Sequence, residues 1–173
     1  MAARLLADER IKLTFLTTQP ANVTAPTATE LNAGIDASCL IFADDYSWTA
    51  TDSERIGERA ICEGSASESP GIGNYDLGVT AWRWFDAETG EIDTEADELF
   101  EALKVKGTVL WAYERRGKRH DEDWTTGDEI HLGGAVTTDT PQVSENTGFV
   151  KYRVPLLSGR MVSFGEVAAG SGG

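Results

Sequence analysis

Val79-Thr80-Ala81-Trp82-Arg83-Trp84-Phe85 decides the class of fold. Val79, Ala81 and Phe85 point one way along an extended strand, and Thr80, Trp82 and Trp84 point the other. Both faces carry apolar side chains. A strand of that kind is central, either in a sandwich or in an assembly. Outward from it, the same period of two recurs. Ile11, Leu13 and Phe15 alternate with Lys12 and Thr14, and Val109, Trp111 and Tyr113 follow the same rule. Val150, Tyr152, Val154 and Leu156 oppose Lys151 and Arg153. Shorter runs at Ser38–Phe42, Glu129–Thr138 and Arg160–Val167 complete the strands. Pro155 has no N–H to donate, which predicts an edge position or a strand end. The chain is therefore expected to be mainly β, a sandwich or barrel.

One segment departs from the period of two. Ala96, Leu99, Phe100 and Leu103 have helical spacing, which predicts a flanking helix over about 94–106. Thr94 and Asp97 resemble a capping box. Glu95, Asp97 and Glu98 suit the first turn, Lys104 and Lys106 the last, and Gly107 the left-handed position beyond it.

The 173 residues fit one domain, expected at 1–167, with a flexible tail at 168–173. The apolar fraction of 40% rises to about half when the 18 glycines are included, the usual globular value. Two segments, at about 19–37 and 43–74, read as long arms or loops, with one short turn expected at Ala28–Asn32. Connections of that length are functional or become ordered against a partner. The N-terminus carries no secretory signal, and no apolar run is long enough to span a membrane. Cys39 and Cys62 do not make a disulfide framework and are expected to be reduced and buried.

Fifteen Lys and Arg stand against 29 Asp and Glu, a net charge of −14. Such a chain repels phosphates, so it does not bind DNA or anionic membranes by a basic surface. The charge is also segregated. No Lys or Arg lies between Lys12 and Arg55, an interval holding Glu30, Asp36, Asp44, Asp45, Asp52 and Glu54. Lys104, Lys106, Arg115, Arg116, Lys118 and Arg119 crowd one short interval. Two readings stand for Arg115–Arg119. One is a solvated hairpin turn around Gly117. The other is head-to-tail complementarity between copies, which builds rings or filaments. On the second reading the candidate intersubunit contacts are Asp44, Asp45, Trp48, Asp52, Glu54, Arg115, Arg116, Lys118 and Arg119.

Motifs that carry chemistry are missing from the sequence. His120 and His131 stand in no zinc-ligand pattern, and there is no phosphate loop or nucleophile elbow. Asp86–Glu91 and Asp121–Gly127 miss the calcium-loop spacing by a residue or more, and read as turns. No enzyme, cofactor or metal is expected. Five tryptophans leave open a sugar-binding or hydrolytic β domain, although core or interface roles are the simpler reading.

The order of these features resembles the major tail tube proteins of bacteriophages with long, non-contractile tails, especially those of actinobacterial hosts. The resemblance runs from about Leu13 to Val167. It rests on Thr29–Ser38, on Tyr46–Glu63 with Thr49-Ala50-Thr51-Asp52-Ser53 and Ala60-Ile61-Cys62, and on Asn74–Thr80. Arg83-Trp84-Phe85-Asp86, Ala102–Thr108, Gly127-Asp128-Glu129 and Thr138–Gln142 continue it. It implies a tail tube fold with one helix, and subunits that form stacked hexameric rings around a lumen through which DNA is ejected. It assigns no residue to that lumen; the polar face Lys12–Thr14 and the acidic stretch Asp44–Glu54 are the candidates. It implies no catalysis and no cofactor. Its implied partners are further copies of the chain, the tape measure and tail terminator proteins, and DNA as cargo that must not stick; no membrane is involved. Assembly in the bacterial host cytoplasm and residence in the virion tail follow. A head-decoration or adaptor β-sandwich of a phage is the alternative.

Overall fold

A computed structural model describes residues 3–170. Its strands are β1 (Ile11–Leu16), β2 (Ile35–Asp36), β3 (Ser47–Thr51), β4 (Arg55–Glu58), β5 (Ser67–Pro70), β6 (Asn74–Trp82), β7 (Val109–Arg116), β8 (Glu129–Thr138), β9 (Gln142–Val143) and β10 (Lys151–Glu166). Two helices, α1 (Ala28–Asn32) and α2 (Glu98–Leu103), accompany them. One antiparallel sheet runs in the order β2-β1-β7-β8-β10-β6-β3, with β9 paired to β10. β4 and β5 form a separate two-stranded hairpin. The architecture is mainly β, in keeping with a β-sandwich.

The sheet closes on itself. β1 and β3 are five strand spacings apart, about 24 Å if the sheet were flat. Yet Phe15 of β1 and Trp48 of β3 meet with ring centroids 6.3 Å apart. The Trp48 indole also donates 3.0 Å to the carbonyl of Leu132 in β8. Between these layers lies the main core, including Leu13, Leu77, Val79, Ala81, Leu110, Val136 and Val154, closed at one side by Leu99, Phe100 and Leu103 of α2. A smaller core gathers Leu16, Leu31, Tyr113, Trp124, Ile130 and Val167.

The bend has a local cause. Between Ser158 and Met161 the β10–β8 register shifts in a bulge. Gly134 sits opposite, at φ +145°, where an added Cβ would lie 2.1 Å from the carbonyl oxygen of Arg160. Only glycine lets the two backbones approach so closely. The runs expected separately at Val150–Leu156 and Arg160–Val167 are thus one bulged strand. Pro155 lies inside that strand rather than at an end, but it falls between the β9 and β8 pairings. Its carbonyl accepts from Asp139 N at 2.9 Å, so its missing N–H faces a gap in the ladder.

Other expectations need correction. The helix is shorter than 94–106. Asp93 accepts from the backbone N–H groups of Glu95 and Ala96, at 3.1 Å each, and holds them in a turn ahead of the helix. Asp97 stands at the N-cap without a side-chain cap bond. Its carboxylate is drawn away to Arg83 Nε at 2.8 Å and Trp84 N at 3.0 Å. Ser38–Phe42 is not a strand; it makes one bridge, Ile41 to Ala81, before a 3-10 turn at Ala43–Asp45. β6 is buried on both faces from Leu77 to Ala81 but ends at Trp82, leaving Trp84 and Phe85 exposed. The polar face of β1 is not open either. Lys12 is buried against Asp36 at 2.7 Å, and Thr14 accepts from the Trp124 indole at 2.9 Å. Both cysteines are exposed and free, not buried. The short turn expected at Ala28–Asn32 is α1, with a capping box between Thr27 and Glu30. In the C-terminal segment expected to be flexible, Ala168 N donates to Pro26 O at 3.0 Å; its residues 171–173 lie outside the described ones.

Candidate assembly surfaces

The acidic interval divides into carboxylates bonded within their own subunit, though partly open to solvent, and carboxylates simply presented to solvent. Asp45 accepts from Thr80 Oγ1 at 2.6 Å and from Arg153 Nη1 at 2.8 Å. It pins the 3-10 turn to β6 and β10. Asp36 is held by Lys12 and Ser38. Asp44, Asp52 and Glu54 are exposed. Trp48 does not belong with them as a surface contact. It is 2% exposed, stacked on Tyr46 and packed against Phe15. The sequence reads this stretch as part of an arm or loop, and nothing in it shows that Ser47–Thr51 is a strand folded back over the core.

The basic cluster is reorganised by the loop from Gly117 to Asp128. That loop wraps the Arg115 guanidinium. Nη1 donates to Asp123 O and Asp128 Oδ2, and Nη2 to Arg119 O and Glu122 O, all at 2.8–2.9 Å. The Trp124 ring lies 5.2 Å from the guanidinium carbon. Arg115 is 2% exposed, so it organises a loop and offers no charge to a neighbour. Burial works to raise the Asp128 pKa, but hydrogen bonds from Lys118, Thr125 and Arg115 prevail and bring it down to about 2.

The remaining three basic residues keep partly exposed side chains, each beside a carboxylate of its own chain. Arg116 pairs with Glu114 at 2.5 Å, Lys118 with Asp128 at 2.5 Å, and Arg119 with Glu9 at 2.9 Å and Asp121 at 3.2 Å. Glu114 is fully buried and also accepts from the Tyr46 hydroxyl. Burial foremost, then this carboxylate, pushes the Tyr46 pKa well up. The predicted basic patch is therefore three half-neutralised groups.

The 43–74 segment splits in two. Its first part, β3, pairs with β6 along Ser47–Thr51 and is part of the sheet. Its second part, β4–β5, is exposed at every residue and stands away from the core. Glu54 N donates to Ile72 O at 3.0 Å and Gly71 N to Glu54 O at 2.6 Å, which closes the hairpin's root. Ile56, Ile61 and Ile72 are bare to solvent, Ile61 completely so. A two-stranded hairpin in water is marginal alone. Periodicity missed it because Ser67–Pro70 has no apolar alternation. The sheet itself ends in open backbone. β3 has no strand beyond it among the described residues, and β2 covers only Thr14 and Phe15 of β1. Open edges of this kind invite pairing with another chain.

Cys39 Sγ lies 3.9 Å from His120 Nδ1 at the surface. Among the described residues no three His, Cys, Asp or Glu side chains are grouped to hold a metal ion. Among the described residues no helix is long and apolar enough to cross a membrane. His131 faces Glu114 at 3.8 Å and packs edge-on to Phe164, and His120 N donates to Glu9 O at 2.9 Å.

Among curated proteins none matches this chain. A family model described as phage tail tube protein matches residues 1–171, nearly the whole length, and the chain belongs to that family.

Proposed function

Given a phage tail tube protein, structural rather than enzymatic and resident in the virion tail, we propose that copies of this chain form hexameric rings. The rings stack into the hollow tube through which phage DNA is ejected. The observation that carries this reading is the β4–β5 hairpin, sixteen residues of ordered backbone from Arg55 to Pro70 with no core beneath them. An exposed hairpin with two bare isoleucines, Ile56 and Ile61, and a third, Ile72, at its root gains its burial from a neighbouring copy. The open edge of β3 supports sheet continuation between subunits, and a closed barrel leaves no edge to aggregate.

The net charge of −14 fits a conduit. A duplex held by basic walls binds through counterion release, whereas acidic walls repel it and let it slide. Asp44, Asp52 and Glu54 are the exposed carboxylates from the acidic interval that serve this role best, together with contacts to the next subunit. The neutralised Arg116, Lys118 and Arg119 limit repulsion between copies. Other tail proteins, the tape measure and the terminator, complete the assembly, which takes place in the bacterial host cytoplasm. The residues from 1 to 167 act as one domain in each ring.

Negative-stain microscopy of the purified protein at raised concentration and salt tests this. Hollow tubes or six-fold rings are expected. A protein that stays monomeric under all these conditions overturns the reading, and a compact non-tubular oligomer favours a head-decoration or adaptor role.

A further inference from the structure

Trp84, Phe85 and Phe149 hold their rings in solvent, at 41%, 41% and 82% exposure. With Cys39, Trp82 and Arg83 they line one open groove. The groove's wall continues into a small loop. Phe85 bridges Ile92, Asp86 N donates to Glu91 O, and Asp93 N donates to Trp84 O. That loop is strongly acidic. Between Arg83 and Lys104 there is no Lys or Arg, and Asp86, Glu88, Glu91, Asp93, Glu95 and Glu98 are all exposed. Arg83 does not answer them. Its guanidinium is paired with the buried Asp97 at 2.8 Å and stacked 4.3 Å from the Phe100 ring centroid. The groove thus has an aromatic floor and an anionic rim. It fits an extended segment that is aliphatic and cationic.

Several exposed basic residues stand beside bare aliphatic side chains, but Arg55-Ile56 and Lys104-Val105-Lys106 have their charges paired with Glu68, Glu101 and Asp139, and Leu157–Arg160 is held in β10 against β8. Two segments remain. One is the hairpin tip, Arg59-Ala60-Ile61-Cys62, flanked by Glu58 and Glu63, which the acidic rim repels. The other is Arg4-Leu5-Leu6, whose leucines are 61% and 78% exposed. Its nearest acidic residues are Asp8 and Glu9, and Glu9 is already paired with Arg119. Within the subunit these leucines lie over Ile11, Arg116 and Gly117, away from the aromatic groove. We propose that the groove of one copy receives Arg4-Leu5-Leu6 of a second copy, the leucines on Trp84, Phe85 and Phe149 and Arg4 among the rim carboxylates. This rests on the reading that copies assemble, and adds to it which surface takes the arm.

Cys39, exposed at the groove, reports on the occupant. The test uses the double variant Leu5→Cys, Cys62→Ser, assembled and then oxidised with diamide, which takes up the two thiol hydrogens as the disulfide forms. Tube formation is scored first by microscopy, and cross-links next by non-reducing gel and peptide mapping. Tubes carrying an intermolecular 5–39 link, lost on adding Arg4→Glu, are the expected result. Tubes without that link, or with the 5–39 link inside one chain, overturn the inference while leaving the assembly reading intact. The unmodified chain provides the opposing arm: a Cys39–Cys62 link between copies places the hairpin in the groove and overturns the inference. Absence of tubes from the unmodified chain overturns both.

Discussion

Phe15 and Trp48 lie at strands near opposite ends of the sheet and pack edge to face, their ring planes inclined at 75°. This contact converts a sheet into a closed sandwich. Trp48→Ala removes the largest side chain at the seam and should cost about 3–5 kcal/mol. Trp48→Phe keeps much of the packing but loses the bond to Leu132 O, and should cost about 1–2 kcal/mol. Urea unfolding of both variants checks the order; equal losses would mean that volume alone matters.

The Arg115–Asp128 pair predicts an acid limb. The unfolded Asp128 carboxyl titrates near its ordinary value, about 3.9, and the folded one near about 2. The folded-state pKa is depressed, so its contribution, about 2 kcal/mol, is complete above about pH 5 and lost as pH falls through about 2. Asp128→Asn should be less stable at neutral pH, and its stability should fall less between those two values. A variant whose acid limb matches the parent's would show that other carboxylates dominate.

Gly134→Ala should destabilise the subunit by about 3 kcal/mol, because the new Cβ meets the Arg160 carbonyl and the backbone conformation is strained. Thermal unfolding measures it. A neutral outcome would mean that the β10 bulge can shift.

Much of the sheet was legible in the sequence, because alternation marks a strand wherever one face is buried. Ile11–Phe15, Val109–Tyr113 and Glu129–Thr138 were read that way and lie on β1, β7 and β8. Long-range closure was not legible. Trp48 reads as a surface contact in the sequence because its burial depends on β8, 84 residues away. Arg115 looked like part of a basic patch because its partners are mostly backbone carbonyls, which no charge count reveals. The helix was read too long because Asp93 and Asp97 bond elsewhere than in a cap.

Arg115 must therefore be separated from its neighbours. Arg115→Glu places a second carboxylate beside Asp128 and should abolish folding, since an uncompensated buried charge costs several kcal/mol. Arg119→Glu leaves the core untouched and should give an unchanged melting temperature. If it slows tube formation, its charge serves assembly; if tubes form normally, its pairing with Glu9 and Asp121 is its whole role.

Excision of Arg55–Pro70, rejoining Glu54 to Gly71 through Asn-Gly, should leave the sheet folded, because the bonds between Glu54 and Gly71 or Ile72 already close that root. Circular dichroism should be little changed and polymerisation lost. A cut that includes Ser47–Thr51 should instead unfold the subunit, since it removes Trp48.

The central claim is that the hairpin joins one copy to the next in a tube. A cryo-electron reconstruction of the assembled protein tests it most directly. The account predicts Ile56, Ile61 and Ile72 buried against a neighbouring subunit, with density continuous around a hollow lumen. Tubes in which β4 and β5 stand free in solvent would contradict it.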